Sequence, residues 1–156
     1  DIWEASLQAL LMSVIRISEA ALDAMTERQW GRILTVTSSG VIAPIPTIPV
    51  SNVVRSAIVS YSKTLSNEVA KHGITVNTII PGRIDTERTK NMDAFAADKQ
   101  SISVAEVQKK SQALIPAGRY GSVEEFADVA AFLLSDRASY VTGSQIRIDG
   151  GTIKNV

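Results

Sequence analysis

The chain has 156 residues, 45% hydrophobic and 21% charged, with sixteen basic side chains against sixteen acidic ones and no formal net charge. That is one domain's worth of chain with enough apolar material for a core, so wholesale disorder is excluded, and so is a general electrostatic pull toward nucleic acid or an anionic membrane. With no cysteine and one histidine, disulfides, thiolate metal sites and multi-histidine sites are excluded too, leaving carboxylates as the only protein-side metal ligands.

Residues 33–54 carry no charge, but Pro44, Pro46 and Pro49 with Thr35, Thr37, Ser38 and Ser39 argue against a membrane span. The opening DIWEAS has no basic region or apolar core of a signal peptide, and no initiator methionine. A soluble protein is expected, and the absence of cysteine suits a reducing cytoplasm.

In chain order, Trp3, Leu7, Leu10, Val14, Ile17, Ala21 and Met25 recur at spacings of three and four, which predicts an amphipathic helix with a buried stripe, capped by Asp1 and Glu4. Arg32–Thr37, rich in β-branched residues, is a strand ended by Ser38-Ser39-Gly40. After a proline-rich loop, Val54, Ile58, Tyr61, Leu65 and Val69 mark a helix from about Ser51 to Lys71, stopped by His72-Gly73. Ile74–Ile80 reads as a strand covered on both faces, ended by Pro81-Gly82. Residues 83–102 are polar and without period, so a mobile loop with a short helix is expected there. Ser103 to Glu106 and Ser122 to Glu125 have capping-box spacing, and the helix after the second carries Phe126, Val129, Ala130 and Leu133 on one face. Gln145–Asp149 alternates and is the last strand.

This alternation builds an α/β fold with about three parallel strands and helices on both faces. Three strands leave an inner edge unpaired, so a larger sheet is expected, with its remaining part before Asp1.

The residues and their order resemble the short-chain dehydrogenase/reductase family, in its 3-oxoacyl-(acyl carrier protein) reductase branch. The likeness runs through Gly31-Arg32-Ile33, Glu68-Val69-Ala70, His72–Asn77, Pro81-Gly82 with Ile84 and Thr86, Pro116–Arg119, Phe132–Asp136, Ser139–Gly143 and Asp149-Gly150-Gly151. The resemblance implies the C-terminal part of a Rossmann-like doubly wound subunit, NAD or NADP as cofactor, and carbonyl reduction or alcohol oxidation. The glycine-rich turn that anchors the cofactor pyrophosphate has no match here. It also implies a homodimer or homotetramer acting on a small molecule, with pocket shape set by residues 83–115.

The family's catalytic group is asparagine, serine, tyrosine and lysine. Carried over position by position, the serine is Ser38, a match. Ser51 stands in the tyrosine's place, Arg55 in the lysine's, and Leu10 in the asparagine's. Serine cannot pass a proton as a phenol of pKa about 10 does, and arginine is not a titrating relay. Arg55 can still hold ribose hydroxyls or a carboxylate. Absent or rerouted proton transfer is therefore expected. Tyr61 and Lys63, two residues apart, lie on different helix faces and do not restore the pair.

Each candidate has a structural reading beside the functional one. Ser38 could cap the strand end, Ser51 could be the helix N-cap, and Arg55 could be a solvated charge. Pro81, Gly82, Ile84 and Thr86 fall where the family's loop meets nicotinamide, Thr86 foremost. His72 reads as a helix C-terminal charge, and Asp85, Glu87 and Asp93 are too irregular for a metal, so a solvated loop is expected. Two functions follow: an oxidoreductase with altered proton delivery, or a catalytically silent scaffold that binds a nucleotide or a partner.

Overall fold

The computed structural model describes residues 1–155. Its sheet is three-stranded: β1 (Gly31–Val36), β2 (Ile74–Pro81) and β3 (Gln145–Ile148), in the order β1-β2-β3 and parallel throughout. The register pairs Ile33 with Val76 and Leu34 with Asn77, then Ile79 with Ile146. β2 is the spine. Its residues Ile74 to Ile80 are all buried, which is what a nearly unbroken β-branched run requires of a strand covered on both faces.

The two faces carry separate cores because side chains alternate along a strand. On one face Ile74 and Val76 pack with Leu65 and Val69 of α2 (Pro49–Val69), joined by Leu22, Met25, Ile33 and Tyr61. On the other, Ile79 packs with Leu133, Ala138, Leu34, Phe126 and Val129, the helical part from α5 (Val123–Leu133). Full burial of a side chain such as Ile79 contributes about 1.5–3 kcal/mol. Tyr61 therefore serves the first core, while Lys63, two residues on, is exposed.

Helix α1 (Ile2–Glu27) corrects the expected buried stripe. Asp1 accepts from the Trp3 N–H at 2.9 Å and caps it, but Ser18 is its only buried residue. Ile17 is 72% exposed, and Trp3 and Leu7 are exposed as well. The reason is position. The first half leans on α2 and the second half on β1 at the sheet's edge, so only Leu22 and Met25 reach the core. A π-helical turn over Leu7–Met12 interrupts the α-helix. By length and composition this helix is also apolar enough to cross a membrane.

Helix α2 begins two residues earlier than expected. Proline at the first helical position sacrifices only an N–H that has no acceptor there, so Pro49 opens the helix with Ile48 as N-cap. Gly73, at φ +68°, ends the short turn Ala70–His72 that follows. His72 sits in that last turn with its Nδ1 3.3 Å from Gln29 Nε2.

Residues 83–102 are the second correction. Glu87–Gln100 is a 14-residue helix, α3, capped by Thr86 and followed by α4 (Val104–Ala113). Its buried residues are Thr89, Asp93 and Ala97, a four-residue period of small and polar side chains that leaves no apolar signal to read. Both capping boxes form: Ser103 N donates to Glu106 Oε2 at 2.9 Å and Ser122 N to Glu125 Oε2 at 2.8 Å, with the return bonds in place.

The buried amide of Asn77 fastens the segment before β3 onto β2. Its Nδ2 donates to Val141 O at 2.7 Å and its Oδ1 accepts from Ser144 N at 3.1 Å. Thr142 Oγ1 accepts from Val76 N, and Gly143 N donates to Val76 O.

Candidate functional site

A parallel sheet sends its loops out at the strands' C-terminal ends, and there the ends of β1 and β2 form a cleft of about 670 Å³. Ser38, Ser51, Arg55, Pro81 and Gly82 all line it, together with Arg83, Arg88 and Asp149. Leu10 is not among the lining residues; it sits half-buried on the π turn of α1.

Each side chain is held by a local cause. Ser38 lies two residues past the end of β1, and its Oγ accepts from Gly40 N at 3.1 Å, which caps the short turn Ser39–Val41. Asn52 holds the proline loop by both backbone groups of Ile45, with Nδ2 donating to its oxygen at 2.8 Å. Ser51 is not the N-cap that one structural reading assigned to it. It is the third residue of α2, because Pro49 starts the helix. Four residues on and one turn along the same face, Arg55 donates from Nη1 to Val36 O at 3.1 Å. Burial and the neighbouring Arg88 both push the Arg55 pKa down from its ordinary value.

The loop after β2 is fixed by close packing. Gly82 N donates to Ile148 O at 2.7 Å, and a Cβ at Gly82 would lie 2.5 Å from Asp149 Cα. Ile84 then bridges to Gly121 in parallel. Thr86 accepts from Thr89 N at 3.3 Å as the α3 cap, and Thr89 Oγ1 donates to Ile84 O at 2.6 Å. Ile84 and Thr86 line a second hollow of about 350 Å³ with Val123 and Phe126, which shares Val36, Pro81, Gly82 and Arg88 with the first.

Asp93, expected in a solvated loop with Asp85 and Glu87, is fully buried. It accepts from Arg83 Nη2 at 2.6 Å and from Tyr120 Oη at 3.0 Å. Among the described residues no three His, Cys, Asp or Glu side chains converge as metal ligands.

Arg83, Arg88 and Asp149 are the charged lining residues, besides Arg55, that sequence reasoning did not place at the site. Arg88 lies in the stretch read as a loop, and only its place two residues after the Thr86 cap puts it at the cleft. Asp149 is turned inward by its own turn, accepting from Gly151 N and Ile153 N at 2.9 Å each.

A family profile described as Enoyl-(Acyl carrier protein) reductase matches residues 1–152. The chain belongs to the short-chain dehydrogenase/reductase family. Within it, the chain is 37% identical over 153 residues to the 3-oxoacyl-[acyl-carrier-protein] reductase of Salmonella typhimurium, covering 97% of this chain and 57% of that protein. It is 36% identical over 136 residues to the NADPH-dependent reductase BacG of Bacillus subtilis, covering 87% and 52%. Among solved structures, YwfH, an NADPH dependent reductase involved in bacilysin biosynthesis, superposes with a TM-score of 0.93 at 31% identity, over 99% of this chain and 59% of that one. The actinorhodin polyketide ketoreductase with NADPH does so at 0.88 and 29%, over 96% and 58%. The sheet is thus Rossmann-like, as expected. The chain spans a little over half the length of these short-chain dehydrogenase/reductase relatives.

The residues present suit one end of a dinucleotide. The Arg55 guanidinium offers hydrogen bonds for a ribose, the hydroxyls of Ser38 and Ser51 lie in the same cleft, and the apolar walls at Val36, Pro81 and Ile84 suit a flat ring.

Proposed function

We propose that this protein is an NAD(P)H-dependent oxidoreductase that reduces a small-molecule carbonyl or oxidises the corresponding alcohol, with proton delivery rerouted from the family's usual path. The chain is then the later part of one Rossmann-like subunit. The observation that carries this reading is that Ser38, Ser51, Arg55, Pro81 and Gly82, distant in sequence, line one cleft at the strand ends.

Nicotinamide, when bound, supplies or accepts the hydride. In this reading Arg55 holds the ribose hydroxyls, while Pro81, Gly82, Ile84 and Thr86 position the ring. Ser38 and Ser51 hydrogen-bond the substrate oxygen, and Arg55 steadies negative charge developing on it as a fixed cation. Since neither serine titrates near neutrality, the proton comes from water admitted to the open cleft.

The exposed apolar residues of α1, among them Ile2, Trp3, Leu7 and Ile17, support a homodimer or homotetramer in which the two long helices meet their counterparts. The absence of cysteine supports a cytoplasmic setting.

The test is oxidation of NADPH or NADH by the full-length protein against a panel of ketones and 3-oxoacyl thioesters, read at 340 nm. Turnover with any of them supports the reading. Tight calorimetric binding of the nucleotide with no turnover on the whole panel overturns it in favour of a silent scaffold.

A further inference from the structure

Two guanidinium groups in the cleft have no carboxylate partner among the described residues. The ion pairs among the described residues are Arg32–Asp136, Arg83–Asp93, Lys90–Glu87 and Arg119–Glu125. Arg55 and Arg88 take part in none of them, yet both face the same concavity, and their charges are close enough to repel. Arg55 is half-buried and spends one donor on Val36 O, which leaves four N–H donors to divide between the ribose and an oxyanion on the substrate. Two like charges on one wall repel each other, and an oxyanion that accepts from both would offset that repulsion.

We propose that Arg88 and Arg55 form an anion-binding subsite and that the substrate carries a carboxylate. The word substrate rests on the oxidoreductase reading; the subsite does not. Asp149 lines the same cleft, so a singly charged carboxylate meets less repulsion there than a dianionic phosphate. Met92 and Leu114, exposed beside the arginines, leave an apolar wall for the rest of such a molecule. Neither the catalytic positions carried over from the family nor the cofactor loop required Arg88.

The test is calorimetric titration of the full-length protein with phenylpyruvate, its methyl ester and inorganic phosphate, each with and without NADPH. The acid is expected to bind roughly 10-fold tighter than the ester, since charge-assisted hydrogen bonds are lost with the charge. In Arg88→Gln that preference falls to about unity, while Arg88→Lys keeps part of it. Arg88 is exposed, so neither variant threatens the fold.

Equal affinity for acid and ester, a preference untouched by Arg88→Gln, or phosphate binding tighter than the acid would each overturn the subsite. So would an Arg88→Gln effect confined to NADPH, which would assign the pair to a cofactor phosphate. Cofactor oxidation by neutral ketones without acid preference removes the subsite and keeps the oxidoreductase. Acid preference without any turnover does the reverse.

Discussion

Arg83 and Asp93, ten residues apart, meet at 2.6 Å with the carboxylate wholly out of water. This pair joins the loop after β2 to α3, and Tyr120 closes it from a third direction at 3.0 Å. Asp93→Ala would leave the partly buried guanidinium and the phenol without their acceptor. The expected loss is about 3–5 kcal/mol, measured as a shift in the urea midpoint with the slope unchanged. Asp93→Asn, which keeps one acceptor, should lose less. A change below about 1 kcal/mol for the alanine variant would mean that water replaces the pair.

Gly82 and Gly118 make opposite cases for what alanine costs. At Gly82 the added Cβ would lie 2.5 Å from Asp149 Cα, a backbone atom held by β3. We expect Gly82→Ala to lose about 1–3 kcal/mol by forcing β2 and β3 apart, and to disturb ligand binding in the cleft as well. Gly118, at φ +71° with nothing within 4 Å, should lose only the conformational cost of about 1 kcal/mol and leave binding alone. Thermal unfolding and ligand titration of both variants check the contrast, and equal effects on binding would contradict it.

Glu125 gives a pH signature. The Arg119 guanidinium, with the Ser122 N–H, holds its carboxyl at about 2, below the ordinary 4.5. Because the folded value is the lower one, the stabilisation is complete above about 4.5 and is lost as pH falls toward about 2. Glu125→Gln is expected to lower Tm at pH 7, with the difference from the parent shrinking across that window. Since the pair is exposed, salt should shrink it too. A difference that ignores both pH and salt belongs to packing.

Restoring the family's acid should be visible in turnover. Ser51→Tyr with Arg55→Lys and Leu10→Asn places a phenol beside an ammonium at the cleft. Ketone reduction is expected to rise by roughly 10²-fold or more. A rate loss should also appear at high pH, where the phenol gives up the proton it must donate; the parent protein lacks that limb. Stopped-assay kcat profiles from pH 6 to about 10 decide it. If the triple variant folds and gains nothing on substrates the parent turns over, the reacting carbon lies elsewhere.

Much of this architecture was legible in the residues themselves. The β-branched run of Ile74–Ile80, broken only at Asn77, announced a central parallel strand, and Ser103 and Ser122 announced their helices, because those signals are local. The stripe of α1 misled because periodicity reports which face is apolar and says nothing of what lies against it. Helix α3 was hidden because its inward side is Thr89, Asp93 and Ala97, and Asp93 becomes a core residue only through Arg83 and Tyr120. At the cleft, Ser38, Ser51 and Arg55 were found through motif positions. Arg88 was not, since its relation to Arg55 exists only once α3 is folded.

The Asn77 amide has a consequence for how the last strand arrives. β3 is four residues long, too short to choose its register by its own hydrogen bonds. With Val141 and Ser144 tied to one side chain, the stretch left to align before β3 is only a few bonds long, like a zip held at a stitched end. Untie that stitch and the chain's tail must find its lane unaided, so slow or misaligned docking of the C-terminus would be the first symptom of a wrong residue at position 77.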